Sequence, residues 1–540
     1  MRVAISSDHA GFELKQVLIE RLSKENGLAF TDLGVHAATP PSDYPDSAAA
    51  VGEAVVRGDA DRGITVCGSG AGVSIAANKI PGVYAFTAED TYTGHQAVEH
   101  DNANVLCLGE RVTGEELAIE IARAFLQARF TAEERHLRRI AKIEKLEAAN
   151  SHPLDALRTN GQSVWLDTIS RSMVTSGELR HHAWDDHVVG MTSNPTIFEK
   201  AMGHEPEYEE PARRLAEQGL STEDIYWALA IEDIQRAADV MSSVYRLTGG
   251  LDGYISLECA PAVANDTQAT IDMTADLWRR LDRPNVFIKI PATPAGVPAI
   301  EQSIASGINV NVTLMFSVEL YDEVARAYIK GLQRFFSGNE RTNLARSDSL
   351  VKAPVSVASF FVSRVDTLVD KILNEKIAAT KDDALRARLQ RLLGRAAVDN
   401  AVIAYQHFKQ IFAGAGWEDL AQRGARVQRP LWASTSTKNP AYSDVMYVEE
   451  LVGPDTVNTV PLVTLEAIKD HARIARTVDS DGTVARANAT FKALKEVGVD
   501  MDEVTLQLQH EGVQLFAESF DSLLKELGQR REALVGAGAR

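Results

Sequence analysis

A lysine stands inside an apolar run: Asn285 to Thr293 reads N-V-F-I-K-I-P-A-T. Val286, Phe287, Ile288 and Ile290 are β-branched or aromatic and Pro291 ends the run, the pattern of a buried strand. Desolvating an ammonium is costly without a partner. The same cost favours the neutral amine, the form of Lys289 that attacks a carbonyl to make a Schiff base. The competing reading, from this stretch alone, is a strand-end lysine whose stem carries its head group to water. A second candidate is Cys67, which opens the run C-G-S-G-A-G ending at Gly72, a glycine-rich turn between a strand and a helix. Backbone N–H groups in such a turn can converge on a phosphate or an enediolate oxygen. A helix N-terminus lowers the pKa of a thiol at its mouth, which makes Cys67 a candidate base. A small buried hydrophobe is the other fate of a free cysteine. The turn lacks G-x-G-x-x-G spacing and follows the third strand rather than the first, which argues against a dinucleotide site.

The elements around Cys67 alternate. Strands are expected at Arg2–Ser7, Phe30–Leu33, Gly63–Cys67, Val83–Phe86 and Val105–Leu108. Helices are expected at Phe12–Leu22, Ser47–Val56, Val73–Lys79, Thr91–Glu99 and Glu115–Gln127. This βαβ rhythm predicts a doubly wound, Rossmann-like parallel sheet covered on both faces. Ligands bind such sheets beyond the carboxyl ends of the strands, where Asp8, His9 and Cys67 fall. From Ala148 to Pro153 the sequence A-A-N-S-H-P breaks the helical pattern. The expected domains are therefore 1–150 and 151–540.

Lys289 belongs to a longer alternation. Eight strands are expected, at Val164–Leu166, Val188–Met191, Tyr254–Glu258, Val286–Ile290, Val310–Met315, Val355–Phe361, Val427–Trp432 and Thr456–Thr459, separated by helices. Eight βα units predict a (β/α)8 TIM barrel, whose chemistry sits at the carboxyl ends of its strands. Asp167, Asn194, Glu258, Lys289, Asn311, Thr313, Ser359 and Ser434 fall there. An amine with carboxylates and hydroxyls around it is what imine chemistry needs: one group shuttles protons as carbinolamine becomes imine, another takes a hydroxyl proton as a carbon–carbon bond breaks.

Composition bounds the partners. The 540 residues are 45% hydrophobic and 24% charged, values of a soluble globular protein. A formal charge of −19 argues against nucleic acid and anionic membranes, while local basic residues can still line a pocket for an anion. Three cysteines, Cys67, Cys107 and Cys259, have no metal-ligand spacing and fit a reducing cytoplasm. Neither a signal peptide nor an apolar run of membrane-spanning length is found, and no metal or cofactor is expected.

Several strings carry resemblances. S-D-H-A-G-F at Ser7–Phe12, D-Y-P-D at Asp43–Asp46, C-G-S-G-A-G-V-S-I-A-A-N-K at Cys67–Lys79, N-V-L-C-L-G-E-R-V at Asn104–Val112 and R-H-L-R-R at Arg135–Arg139 resemble type B ribose-5-phosphate isomerases over about residues 1–148. The resemblance implies metal-free aldose–ketose isomerisation of a pentose 5-phosphate through an enediolate. It makes Cys67 the base that moves the proton between carbons 1 and 2, and gives ring opening to His100, with Ser69. The amides of Gly68, Ser69, Gly70, Ala71 and Gly72 would hold the enediolate. Asp8 would bind sugar hydroxyls, and His9, Arg111, Arg135 and Arg139 the phosphate, a match of guanidinium to phosphate oxygens. Arg138 and Lys142 are read as a solvated helix face. Asp101-Asn102 departs from the usual Asn-Asp or Asn-Asn and puts the contact at Asp101 in question. Enzymes of this type are dimers with shared active sites, so a homodimer through residues 1–150 is expected.

The second domain carries S-V-W-L-D-T-I-S-R at Ser163–Arg171, G-M-T-S-N-P-T-I-F at Gly190–Phe198, the Lys289 stretch, G-I-N-V-N-V-T-L-M-F-S at Gly307–Ser317, V-A-S-F-F-V-S-R-V-D at Val357–Asp366 and R-P-L-W-A-S-T-S-T-K-N-P at Arg429–Pro440. These resemble the longer bacterial transaldolases. The resemblance implies transfer of a dihydroxyacetone unit from sedoheptulose 7-phosphate to glyceraldehyde 3-phosphate. Lys289 would form the Schiff base and Asp167 would act as base. Glu258 and Thr313 would position water. Asn194, Asn311 and Ser359 would bind dihydroxyacetone hydroxyls, and Arg364 the acceptor phosphate. Ala260 and Ala262 replace an acid and an arginine of the usual pattern, and Lys438 stands nearest to a phosphate-binding arginine of shorter relatives. The expectation is one chain with two sugar-phosphate activities. The alternatives are a non-catalytic first domain used for regulation or assembly, a hexose 6-phosphate isomerase, and a barrel that is a plain aldolase.

Overall fold

The computed structural model describes all residues except Asn26, 151–152, 344–352 and 539–540. It divides into two compact units, Met1–Ser151 and His152–Arg540. In the first, strands β1 (Arg2–Ser7), β2 (Ala29–Asp32), β3 (Arg62–Cys67), β4 (Ala85–Thr87) and β5 (Val105–Gly109) form a parallel sheet in the order β2-β1-β3-β5-β4. Strand alternation splits the sheet between two cores. Val3, Ile5, Ile64, Val66, Leu106 and Leu108 pack on one face. Ala4, Cys67, Val105 and Cys107 pack on the other. A sheet buried on both faces needs such unbroken apolar runs, which is why its strands were legible.

Helix Glu134–Asn150 continues through the three residues where the sequence pattern suggested a break. Ala148 and Ala149 are good helix formers, and their propensity outweighs one following asparagine. The next helix, Pro153–Thr159, opens on its proline, where the missing N–H would have had no helical partner. The remainder of the expected linker, 151–152, lies outside the described residues.

The second unit is a closed parallel barrel of β6 (Gln162–Leu166), β7 (Val188–Met191), β8 (Tyr254–Glu258), β9 (Val286–Pro291), β10 (Val310–Met315), β11 (Ser356–Phe361), β12 (Arg429–Ala433) and β13 (Thr456–Val460). All eight expected strands form, with ends shifted by a residue or two, the usual uncertainty of element boundaries. β13 pairs with β6 to close the ring. Trp165, Tyr254, Phe287, Val357, Leu431 and Val457 pack together, a layer made by inward residues of different strands. The period of two then puts Asp167, Lys289, Ser359 and Thr459 one step nearer the carboxyl ends, two residues after Trp165, Phe287, Val357 and Val457.

Gly190 shows how tight this layer is. A Cβ there would stand 2.5 Å from the Trp165 ring, and Trp165 is fully buried against Phe287 with ring centroids 6.0 Å apart. The ring cannot yield without displacing that layer. Gly190→Ala should therefore cost roughly 1–3 kcal/mol of barrel stability, the usual range for overpacking a core. All six tryptophans follow residue 164, so the tryptophan-fluorescence unfolding curve reports this unit alone; an unchanged midpoint would contradict the packing account.

Candidate active sites

At the carboxyl end of the barrel lies a cavity of about 430 Å³ lined by Asp167, Glu258, Lys289, Thr313, Ser359 and Arg364 among others. Lys289 is 6% exposed. Its Nζ donates to the Ser193 carbonyl at 3.0 Å and lies 3.5 Å from Glu258 Oε2. The register pairs Glu258 with Lys289 and Lys289 with Asn311 on neighbouring strands. Burial pushes the Glu258 carboxyl above its usual range, against the opposing pull of Lys289. Burial also raises Asp167, with Lys289 and the Thr192 hydroxyl opposing it. Thr192 Oγ1 donates to Asp167 Oδ1 at 2.7 Å and sits 2.8 Å from Thr459 Oγ1. The amine thus has one carboxylate beside it, while the other is held on a separate strand by a hydroxyl relay, so the two acids have different surroundings.

Backbone irregularity shapes the rim. Leu314 has φ +60° and the β10–β11 register shifts between Val312 and Met315. Both sit beside Thr313, where a bulge re-aims side chains. Such left-handed backbone at a leucine is costly and persists where the surroundings over-determine it. Ser434 follows β12 with φ +56° and bonds Ser363 hydroxyl to hydroxyl at 2.9 Å. Asn311 is fully buried, its Oδ1 accepting from Ser359 at 2.7 Å and its Nδ2 donating to Ser256 at 3.1 Å. It stands behind the wall and orients Ser359, which does line the cavity. Asn194 caps helix Pro195–His204 through Ile197 N–H at 3.0 Å and also lines the cavity.

Arg364, Lys438 and Lys200 line the same cavity, enough positive charge for a phosphate. Arg364 is half-buried over the Phe361 ring, and burial lowers its pKa. Lys438 is exposed, with Nζ donating to Ser436 at 2.9 Å. Thr192, Lys200 and Ser436 escaped the sequence reading, although Thr192 and Ser436 lie inside two of its strings. The other omission had no sequence signal: helix Met501–Gly538 brings Gly512, Leu515, Phe516 and Ser519 to the cavity. Gln509 of that helix donates to the Ala292 carbonyl, and Thr196 to Ser519. The departures lie at the turn Pro261–Val263: Ala260 precedes it and is buried, Ala262 within it is exposed, and neither lines the cavity.

In the first unit Cys67 ends β3, 4% exposed, and accepts from Gly70 N–H at 3.2 Å. Gly70 has φ +80°, and a Cβ there would press on Thr87 and the backbone of β5. The Arg111 guanidinium lies against Gly68, and the Tyr44 ring covers Gly72. Ser69 and Ala71 are exposed. Asp8 accepts from Ala10 and Gly11 N–H, both at 3.0 Å. The His9 ring nitrogen Nδ1 accepts from Ser42 N–H at 3.2 Å. His100 stacks on the buried His136 with centroids 4.3 Å apart. Arg135 pairs with Glu133 at 2.8 Å, and Arg138, Arg139 and Lys142 are exposed. No hydrogen bond, ion pair or ring contact among the described residues joins His100, Arg135 or Arg139 to the Cys67 turn. Asp101 is exposed and ends its helix; Asn102 follows with φ +52°. Asparagine tolerates that conformation better than most residues, so the order Asp101-Asn102 suits the backbone. Cys107 and Cys259 are buried thiols pushed up to about 12 by desolvation, which leaves them inert as bases.

A buried lysine that shares a cavity with two carboxylates at the mouth of a parallel barrel is a constellation suited to imine formation. The family model "Transaldolase/Fructose-6-phosphate aldolase" matches residues 164–527, and the chain belongs to that family. Transaldolase 2 of Nostoc sp. is 44% identical over 383 residues, covering 70% of this chain and 97% of its own length. The transaldolase of Acidothermus cellulolyticus is 46% identical over 372 residues, covering 69% and 95%. The model "Ribose/Galactose Isomerase" matches residues 3–143, so an isomerase-family domain precedes the barrel. A solved ribose-5-phosphate isomerase B from Clostridium thermocellum is 43% identical, covering 28% of this chain and 100% of that chain, with a TM-score of 0.27.

A carboxylate that serves as base must be ionised. Burial raises the Asp167 pKa, so turnover should fall as pH drops through a value above the ordinary aspartate value of about 4. Asp167→Asn should lower kcat by about 100-fold or more, the usual share of a general base. A pH–rate profile with its acid limb at or below about 4, or an unimpaired variant, would overturn the assignment.

Proposed function

We propose that the chain is a bifunctional enzyme of sugar-phosphate metabolism. The barrel would transfer a dihydroxyacetone unit from sedoheptulose 7-phosphate to glyceraldehyde 3-phosphate, giving erythrose 4-phosphate and fructose 6-phosphate. The first unit would interconvert ribulose 5-phosphate and ribose 5-phosphate. The observation that carries the barrel reading is Lys289 Nζ, enclosed yet within 3.5 Å of Glu258, in a cavity that also holds Asp167 and three further cations.

Lys289 attacks the ketose carbonyl. Glu258, with Thr313, passes the proton that lets water leave the carbinolamine. Asp167 takes the substrate hydroxyl proton as the carbon–carbon bond breaks and the aldose phosphate departs. The enamine left on Lys289 then adds to the acceptor aldehyde, Asp167 returns the proton to the new hydroxyl, and water hydrolyses the imine. Ser359 and Asn194 hold the dihydroxyacetone hydroxyls, while Arg364, with Lys438, receives phosphate.

In the first unit Cys67 moves the proton between carbons 1 and 2 while the amides of the Gly68–Gly72 turn hold the enediolate oxygen. His100 opens the sugar ring. Among the described residues no hydrogen bond, ion pair or ring contact joins His100 or Arg135 to the Cys67 turn of the same chain, which favours a site completed by a second copy. Exposed apolar side chains such as Ile75 at 65% and Tyr92 at 70% fit a covered face of this unit. Light scattering of the full chain should show a homodimer, and a monomer would contradict this assembly.

A paired assay on one preparation tests the two activities. The parent should perform both. Cys67→Ala should lose the isomerase and keep the transferase, and Lys289→Met should do the reverse. No isomerase activity in the parent would reduce the first unit to a binding or assembly module. Cleavage of ketose phosphate at equal rates with and without an aldehyde acceptor would make the barrel an aldolase.

A further inference from the structure

Two threonines meet over the strand that carries Asp167. β6, which leads into Asp167, lies between β13 and β7. Thr192 follows β7, and its N–H donates to the Leu166 carbonyl at 2.8 Å. On the other side Asp167 N–H donates to the Val460 carbonyl at 2.8 Å, and Thr459 precedes Val460 on β13. The two hydroxyls come within 2.8 Å of each other, and Thr192 Oγ1 donates to Asp167 Oδ1 at 2.7 Å. Both threonines are 3% exposed and line the Lys289 cavity. A β-branched side chain is stiff at χ1, so neither hydroxyl swings freely. Thr435 steadies the second one from behind, donating to Asn458 Oδ1 at 2.9 Å and to the Thr459 carbonyl at 3.2 Å.

The proton count gives this chain a direction. An ionised carboxylate only accepts, so Thr192 spends its one proton on Asp167. The hydroxyl contact then requires Thr459 to donate to Thr192. Each bond in such a chain polarises the next. No other hydrogen bond reaches the Asp167 carboxyl among the described residues, which leaves Oδ2 open. Glu258 has no hydroxyl partner there and accepts only from Lys289. The charges that act on Asp167 are Lys289 on β9 and Lys438 after β12, with Glu258 on β8 opposing them.

We propose that Thr192 and Thr459 are positioning residues for carbon–carbon cleavage: Thr459 donates to Thr192 and Thr192 to Asp167 Oδ1, which keeps that carboxyl ionised and leaves Oδ2 to take the substrate hydroxyl proton. The relay rests on the reading of Asp167 as base. The proton on Oδ2 returns to the new hydroxyl when the acceptor adds, so neither threonine gains or loses one over a turnover. A donated hydrogen bond favours the charged form. Burial raises the Asp167 carboxyl and Thr192 pulls against it, so loss of the donor raises it further.

Transferase pH–rate profiles of valine variants, which keep the shape and remove the hydroxyl, test the relay. Thr192→Val should move the acid limb of kcat up by about one pH unit, the scale of one hydrogen bond to a carboxylate, with KM little changed. Thr192→Ser should restore the parent profile. Thr459→Val should move the limb the same way by less. The double valine variant should match Thr192→Val alone, because Thr459 acts through Thr192. In an Asp167→Asn background neither valine should lower kcat further. An unmoved limb in Thr192→Val, additive effects of the two valines, or equal losses in the Asp167→Asn background would overturn the relay while leaving Asp167 as base. Unimpaired transfer by Asp167→Asn itself would remove the base, and the relay with it.

Discussion

Everything at the barrel mouth depends on keeping one amine out of water. Lys289 sits on a strand whose other residues are apolar, and burial there raises the cost of its charge. Glu258 and the Ser193 carbonyl compensate part of that cost through the contacts at 3.5 and 3.0 Å. The contact to Glu258 is a long one, without the geometry of a tight ion pair. The same burial raises both neighbouring carboxyls. Each of the two carboxyls therefore holds a proton more readily than it would in water, as suits a group that must both take and return one.

The barrel supplies this environment through its layers. Trp165, Phe287 and Val357 fill the level below the amine, and Gly190 exists because the Trp165 ring needs its space. Above, helix Met501–Gly538 brings Leu515 and Phe516 to the rim, two apolar side chains that limit water around the amine. The first unit solves a different problem with different means. Its candidate residue, Cys67, is a thiol at the end of a strand, held by one amide and opening a glycine-rich turn. Each unit has its own core and its own candidate centre.

What the sequence revealed depended on periodicity and on local strings. The eight barrel strands are almost wholly buried, and the more apolar of them, such as Val286–Ile290, appeared as short continuous runs, so the rank of Lys289 among them followed. Asp167, Glu258 and Ser359 could be placed because they end or nearly end those runs. Asn311 shows the limit: its position on β10 was legible, but not that it faces Ser256 and Ser359 as a support. Side-chain hydrogen bonds across strands have no sequence period. The contribution of the C-terminal helix was invisible for the same reason, since Leu515 and Phe516 reach the cavity from residues more than two hundred positions from Lys289 only through tertiary packing. The helix through Asn150 was missed because a polar cluster was weighed above the helical propensity of the residues before it.

The central claim is that Lys289 forms an imine with a ketose phosphate. Incubating the full chain with fructose 6-phosphate and borohydride, then mapping the modified peptide by mass spectrometry, tests it most directly. The account predicts a single reduced dihydroxyacetone adduct on Lys289, absent when borohydride is omitted. No adduct, or an adduct on another lysine, would contradict it.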